Sequence, residues 1–149
     1  VTDHLFSVRV QRADTQSVRA YARSQVFEVG SQASLRESDA HPSAVEYLLG
    51  ALGGDLVGGF EREAAARGVK LHAIELALSG RLENILVHLG VRGEYGHPGF
   101  AAIDGTIYVD TDAEPRDLDA AWQAALGRSP LFNTLSRCAA VAIDLRVMR

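Results

Sequence analysis

Residues 48–60 read LLGALGGDLVGGF. Leu48, Leu49, Leu52, Leu56, Val57 and Phe60 recur at the spacing of a buried helix. One carboxylate, Asp55, stands in the middle of that apolar run, crowded by Gly50, Gly53, Gly54, Gly58 and Gly59. A glycine inside a helix costs roughly 1 kcal/mol against alanine. Five of them read either as a surface on which a neighbouring helix or sheet packs at very short distance and recovers the loss, or as chance glycines in a frayed helix. Upstream, Ser43 with Glu46 three residues on is a capping-box pattern, so the helix should open at Ala44. Downstream it should run to Arg67 and stop at Gly68. Its first half is apolar nearly all round, whereas its second half, EREAAAR, is polar. Such a helix enters the core and leaves it as a solvated end.

Both flanks read as strands. In HLFSVRVQR, Phe6, Val8 and Val10 share one face of a half-buried strand, with Leu5 out of phase. SVRAYARSQVFEVG is extended up to Gly30, and residues 31–43 form a polar loop. After Gly68 the period becomes two: Ile74, Leu76 and Leu78 alternate with Glu75, Ala77 and Ser79. NILVHLGVRGEYGHPG reads as a loop with room for a short strand. FAAIDGTIYVDTD reads as a strand with a bend or turn at Asp104-Gly105. EPRDLDAAWQAALG is a helix with Pro115 in its first turn and Gly127 as its stop, and Trp122 sits on its core stripe. Ser129-Pro130 should open another short helix. Val141, Ile143, Leu145 and Val147 alternate in a last strand. This order of elements is that of an α+β protein.

With 149 residues, the chain is expected to form one domain, 1–149. A net charge of −4 without any basic block argues against nucleic-acid or anionic-membrane binding. Cys138 is the only cysteine, so no internal disulfide can form. No apolar run approaches the roughly 20 residues of a membrane span. A cytoplasmic protein is expected. His4, His41, His72, His88 and His97 are isolated, so no metal site and no cofactor are expected; His72 reads as a strand residue and His88 as a loop residue. No glycine-rich phosphate loop follows a strand, and no serine lies in a nucleophile elbow.

Two stretches, SAVEYLLGALGGD and SPLFNTL, together with the strand VKLHAIELALSGRL, carry a resemblance that spans nearly the whole chain. The chain resembles the OsmC/Ohr family of stress-linked proteins, whose best-known members reduce organic hydroperoxides. The resemblance implies an OsmC-like fold, with strands wrapped around a long central helix in an intertwined homodimer whose reactive sites lie at the subunit interface. It also implies a thiol cycle. One cysteine, its pKa lowered by a nearby arginine, attacks the peroxide, and a second closes a disulfide. The sequence departs from that pattern where the chemistry sits. Asp55 stands at the first cysteine position and Ser129 at the second. The family's partner glutamate is one place late, as Glu46. Thiol peroxidase activity is therefore not expected from these positions.

A shielded Asp55 should find a cation or keep its proton. Arg19 and Arg23 are the leading candidate partners, followed by Arg9, Arg12 and Arg128. The resulting readings are an ion pair that only fixes the dimer, a remnant interfacial pocket for a small apolar or anionic ligand, or a solvent-facing Asp55. Two rivals stand beside them. One is a hydroperoxide reductase working through Cys138, which otherwise reads as an inert buried thiol. The other is an enzyme of another class with Asp55 as acid or base.

Overall fold

The computed structural model describes residues 4–31 and 39–148. Most of the polar loop read from residues 31–43 lies outside them. The chain divides into two compact units, Val1–Leu48 and Leu49–Arg149.

The first unit carries an antiparallel meander of β1 (Arg9–Arg12), β2 (Val18–Ala22) and β3 (Gln25–Val29). The β1–β2 turn is held by the Asp14 carboxylate, which accepts the Gln16 and Ser17 N–H groups at 2.7 and 2.8 Å. The bond from Gln16 leads the causes that keep the Asp14 pKa below its ordinary value. β2 and β3 are joined by Arg23-Ser24, with Arg23 in the left-handed region at φ 56°. The predicted half-buried first strand is corrected here. β1 is four residues long and exposed throughout, and Phe6 is 92% exposed.

Helix α1 spans Ala44–Ala66. Its start is the predicted capping box: Ser43 N–H donates to Glu46 Oε2 at 2.7 Å, and Glu46 N–H donates to Ser43 Oγ at 3.3 Å. Its end is a Schellman motif. Gly68 has φ 68°, its N–H bonds Ala65 O, and the Val69 N–H reaches back to Ala64 O.

The second unit contains β4 (Ala73–Leu82), α2 (Ile85–His88), β5 (Phe100–Asp110), α3 (Pro115–Arg128), α4 (Pro130–Leu135) and β6 (Ala140–Met148). β5 is the middle strand, antiparallel to β4 and parallel to β6. Leu52, Leu56 and Phe60 of α1 pack with Ile103, Ile107 and Val109 of β5 and with Leu118, Ala121, Trp122 and Ala125 of α3. Phe60 meets Trp122 edge-on at 5.2 Å.

Several expectations change in this unit. β5 runs straight through Asp104-Gly105, with no turn. Gly105 pairs with Leu78, and a Cβ there would lie 2.6 Å from the Ala77 carbonyl oxygen. Close strand approach, not a bend, requires this glycine. The loop after β4 opens with α2, because the Asn84 side chain caps it by accepting from Leu86 and Val87 N–H. His88 is therefore helical. His72 precedes β4 instead of lying within it. α3 continues through Gly127 to Arg128. The glycines of α1 are not explained by neighbours among the described residues. Gly53 and Gly59 are in ordinary contact with Leu78 and Ala125, at 3.6 and 3.9 Å, and no described residue approaches within 4 Å of a Cβ built on Gly50, Gly54 or Gly58.

Candidate functional site

Asp55 projects from α1 toward the junction of α3 and α4. Ser129 is that junction. It ends α3 and caps α4, its Oγ accepting the Phe132 N–H at 2.9 Å, with Pro130 at the first helical position. The hydroxyl of Ser129 in turn donates to Asp55 Oδ2 at 2.5 Å. The Leu131 N–H lies 3.5 Å from the same oxygen. Ser129 is 4% exposed. Asp55 is half-buried, not shut away from water as the apolar run suggested.

Asp55 makes no ion pair among the described residues of its own unit. The cations considered for it have the following partners and positions, each within its own unit. Arg128 bonds Glu63 Oε1 at 2.5 Å. Arg19 bonds Glu28 at 2.9 Å, which raises the guanidinium's pKa, and Glu28 also holds His41 at 2.7 Å. Arg9 lies over the Tyr21 ring at 4.4 Å. Arg23 is exposed in the β2–β3 turn, and Arg12 is exposed at the end of β1. Glu46 is committed to the capping box. Within the second unit, the site is therefore a hydrogen-bonded carboxylate and hydroxyl, neither an unpaired acid in an open cleft nor a closed ion pair.

Cys138 follows α4 and is exposed, which corrects the buried reading. Its thiol donates to Leu135 O at 3.3 Å. An open apolar groove of about 470 Å³ runs between α1 and β4, lined by Leu49, Gly50, Gly53, Gly54, Val57, Leu76 and Leu78. Among the described residues no three His, Cys, Asp or Glu side chains gather as metal ligands, and no helix is long and apolar enough to cross a membrane.

Sequence reasoning missed Glu63, which lies in the stretch read as a solvated helix end. It is 1% exposed. Arg67 Nη1 bonds its Oε2 at 2.7 Å, Arg128 bonds Oε1, and Arg62 Nε stands 3.9 Å away. The bonds from Arg67 and Arg128 hold the Glu63 carboxyl below the ordinary carboxylate range against the opposing effect of burial. The i,i+4 spacing of Glu63 and Arg67 was the available signal.

The pair at residues 55 and 129 offers two oxygen-bearing side chains. Neither can be oxidised to a sulfenic acid or close a disulfide, so a thiol cycle cannot run through them. They can hold a proton, accept or donate hydrogen bonds and present negative charge.

The fold is similar to that of an OsmC-like protein from Mycoplasma pneumoniae, with TM-score 0.84 at 12% identity over 99% of this chain and 100% of that one. It is also similar to an organic hydroperoxide resistance protein OsmC from Legionella pneumophila, with TM-score 0.71 at 7% identity over 98% and 99% of the two chains. A third similar structure is the organic hydroperoxide resistance protein OhrB of Bacillus subtilis, with TM-score 0.60 at 14% identity over 96% and 98%. At these identities the likeness is one of fold. No curated protein shows a significant sequence match. The family model described as OsmC-like protein matches residues 37–144, and on that match the chain belongs to the OsmC-like protein family.

Proposed function

We propose that this protein is a single-domain, homodimeric member of the family in which Asp55 and Ser129 occupy the two cysteine positions of hydroperoxide-reducing relatives. Thiol-dependent peroxide reduction is lost at this site. The remnant pocket serves a structural role or binds a small apolar or anionic ligand. The observation that carries the reading is the 2.5 Å bond between Ser129 Oγ and Asp55 Oδ2. Two residues that replaced a disulfide-forming pair should sit side by side, and a hydroxyl donating to a carboxylate is what such a replacement leaves.

The dimer is supported by what the single chain leaves uncovered. Gly50, Gly54 and Gly58 follow at i, i+4 and i+8 and offer a smooth helix face with nothing on it among the described residues. Val10 and Phe27, which share one face of the three-stranded sheet, are 57% and 37% exposed. A second copy packed on both surfaces would recover the cost of the glycines and cover these side chains. Asp55 is next to Gly54 in sequence, which would put it at the margin of such an interface.

The test is turnover of an organic hydroperoxide with a dithiol reductant. The expected result is no turnover by the natural sequence and measurable turnover by Asp55→Cys/Ser129→Cys. A folded double variant that neither forms the disulfide nor turns over would count against the assignment of the two positions. Turnover by the natural sequence that disappears in Cys138→Ser would overturn the proposal in favour of a reductase using the exposed thiol.

A further inference from the structure

We propose that the three guanidiniums gathered on Glu63 form a binding site for a small phosphate-type dianion. The site is independent of the fate of Asp55 and Ser129. Arg62 comes from the end of α1, Arg67 directly follows that helix and Arg128 ends α3, and all three lie within 4 Å of one carboxylate. Three positive charges meet one negative charge, so a surplus of two remains. That surplus stands out on a chain whose net charge is −4.

The arrangement presents the surplus outward. Glu63 is buried, while the side chains of Arg62 and Arg128 are 66% and 67% exposed. Arg67 spends Nη1 on Glu63, bonding both its Oε2 and its main-chain oxygen. Arg128 likewise spends Nη1 on Oε1. Each guanidinium has five N–H donors in a planar fork, so most remain for another acceptor. Neither residue bonds a further acceptor among the described residues. Arg62 Nη2 stands 3.9 Å from the Cβ position of Gly59.

The buried carboxylate supplies what an ordinary surface cluster lacks. Like charges would splay three free arginines apart. Glu63 holds two of them by direct bonds at fixed separation and draws in the third, so part of the ordering cost of binding is already met. A tetrahedral dianion with several acceptor oxygens matches forks that converge from different elements. A monoanion such as chloride matches neither the charge nor the number of donors.

Titration with inorganic phosphate at constant ionic strength, chloride replacing phosphate in the control, tests the site through the arginine Nε–H signals in the NMR spectrum. The expected result is saturable shifts at Arg62 and Arg128, with affinity falling at least tenfold in Arg62→Gln and in Arg128→Gln. Arg62 makes no hydrogen bond to Glu63, so its variant should fold normally and decides the matter if Arg128→Gln does not fold. Shifts that fail to saturate, that chloride reproduces, or that persist with equal affinity in Arg62→Gln would overturn the proposal.

Discussion

Ser129 Oγ and Asp55 Oδ2 lie 2.5 Å apart across 74 residues of chain. One hydroxyl serves two purposes here: it caps α4 through the Phe132 N–H and it satisfies the carboxylate on α1. The same atom fixes the local turn and joins two helices that have no sequence proximity. Whatever the site does, its geometry rests on this double use.

Ser129→Ala removes both bonds at once. Loss of an N-cap costs about 0.5–2 kcal/mol, and a half-buried carboxylate deprived of its donor adds to that. The expected loss is about 1–3 kcal/mol, read as a lowered urea midpoint at unchanged slope. A change below about 0.5 kcal/mol, the size of an ordinary surface substitution, would show that the short bond contributes little.

Gly105→Ala should be costly although the residue lies in a region that reads as a turn. Its Cβ would meet the Ala77 carbonyl oxygen and Leu78 Cδ2, each at 2.6 Å. The first of these is backbone and cannot rotate away. Overpacking of this kind costs about 1–3 kcal/mol, and thermal melting measures it. An unchanged Tm would mean that β4 and β5 can part without penalty.

Gly54→Ala separates two descriptions of the α1 face. No described residue lies within 4 Å of its Cβ position, so in an isolated chain alanine should stabilise the helix by about 1 kcal/mol. If a second copy packs there, as proposed, stability falls. Gly54→Leu should then shift the protein from dimer to monomer in sedimentation at micromolar concentration. A stabilised Gly54→Ala variant with no concentration dependence would contradict the packing of a second copy on this face.

The parts of this molecule that were legible in the sequence are those whose cause is local. The capping box of Ser43 and Glu46, the Gly68 stop and the Ser129-Pro130 helix start are each decided by neighbours within four residues. So is the alternation of Ile74, Leu76 and Leu78. What could not be read depends on distant partners. Gly105 carries the composition of a turn, and only the pairing with β4 makes it a strand residue. Glu63 looks solvated in EREAAAR because its second arginine comes from residue 128. The apolar alternation of Phe6, Val8 and Val10 predicted burial that the single chain does not provide. Asp55 and Ser129 were brought together by resemblance and not by any chemical signal in either residue, since a carboxylate in an apolar run suggests a cation and the geometry supplied a hydroxyl.

Glu63 gives the pH prediction. Its carboxyl is held below the ordinary value of 4.5 in the folded protein, first by Arg67 and then by Arg128. A depressed folded pKa means that the unfolded chain takes up the proton more readily, so the contribution to stability is fully present above the unfolded pKa. It is lost as pH falls from about 4.5 through the folded value. Asp14, lowered by the Gln16 and Ser17 N–H groups, acts in the same direction within its own unit. Stability measured by urea denaturation between pH 6 and pH 3 should therefore fall steadily below pH 5. Glu63→Gln should be less stable at pH 6 and show a shallower fall, because it has no proton to gain at that position and leaves three guanidiniums with no anion. If the natural sequence and Glu63→Gln lose stability in parallel over that range, the buried carboxylate is not what organises the arginines.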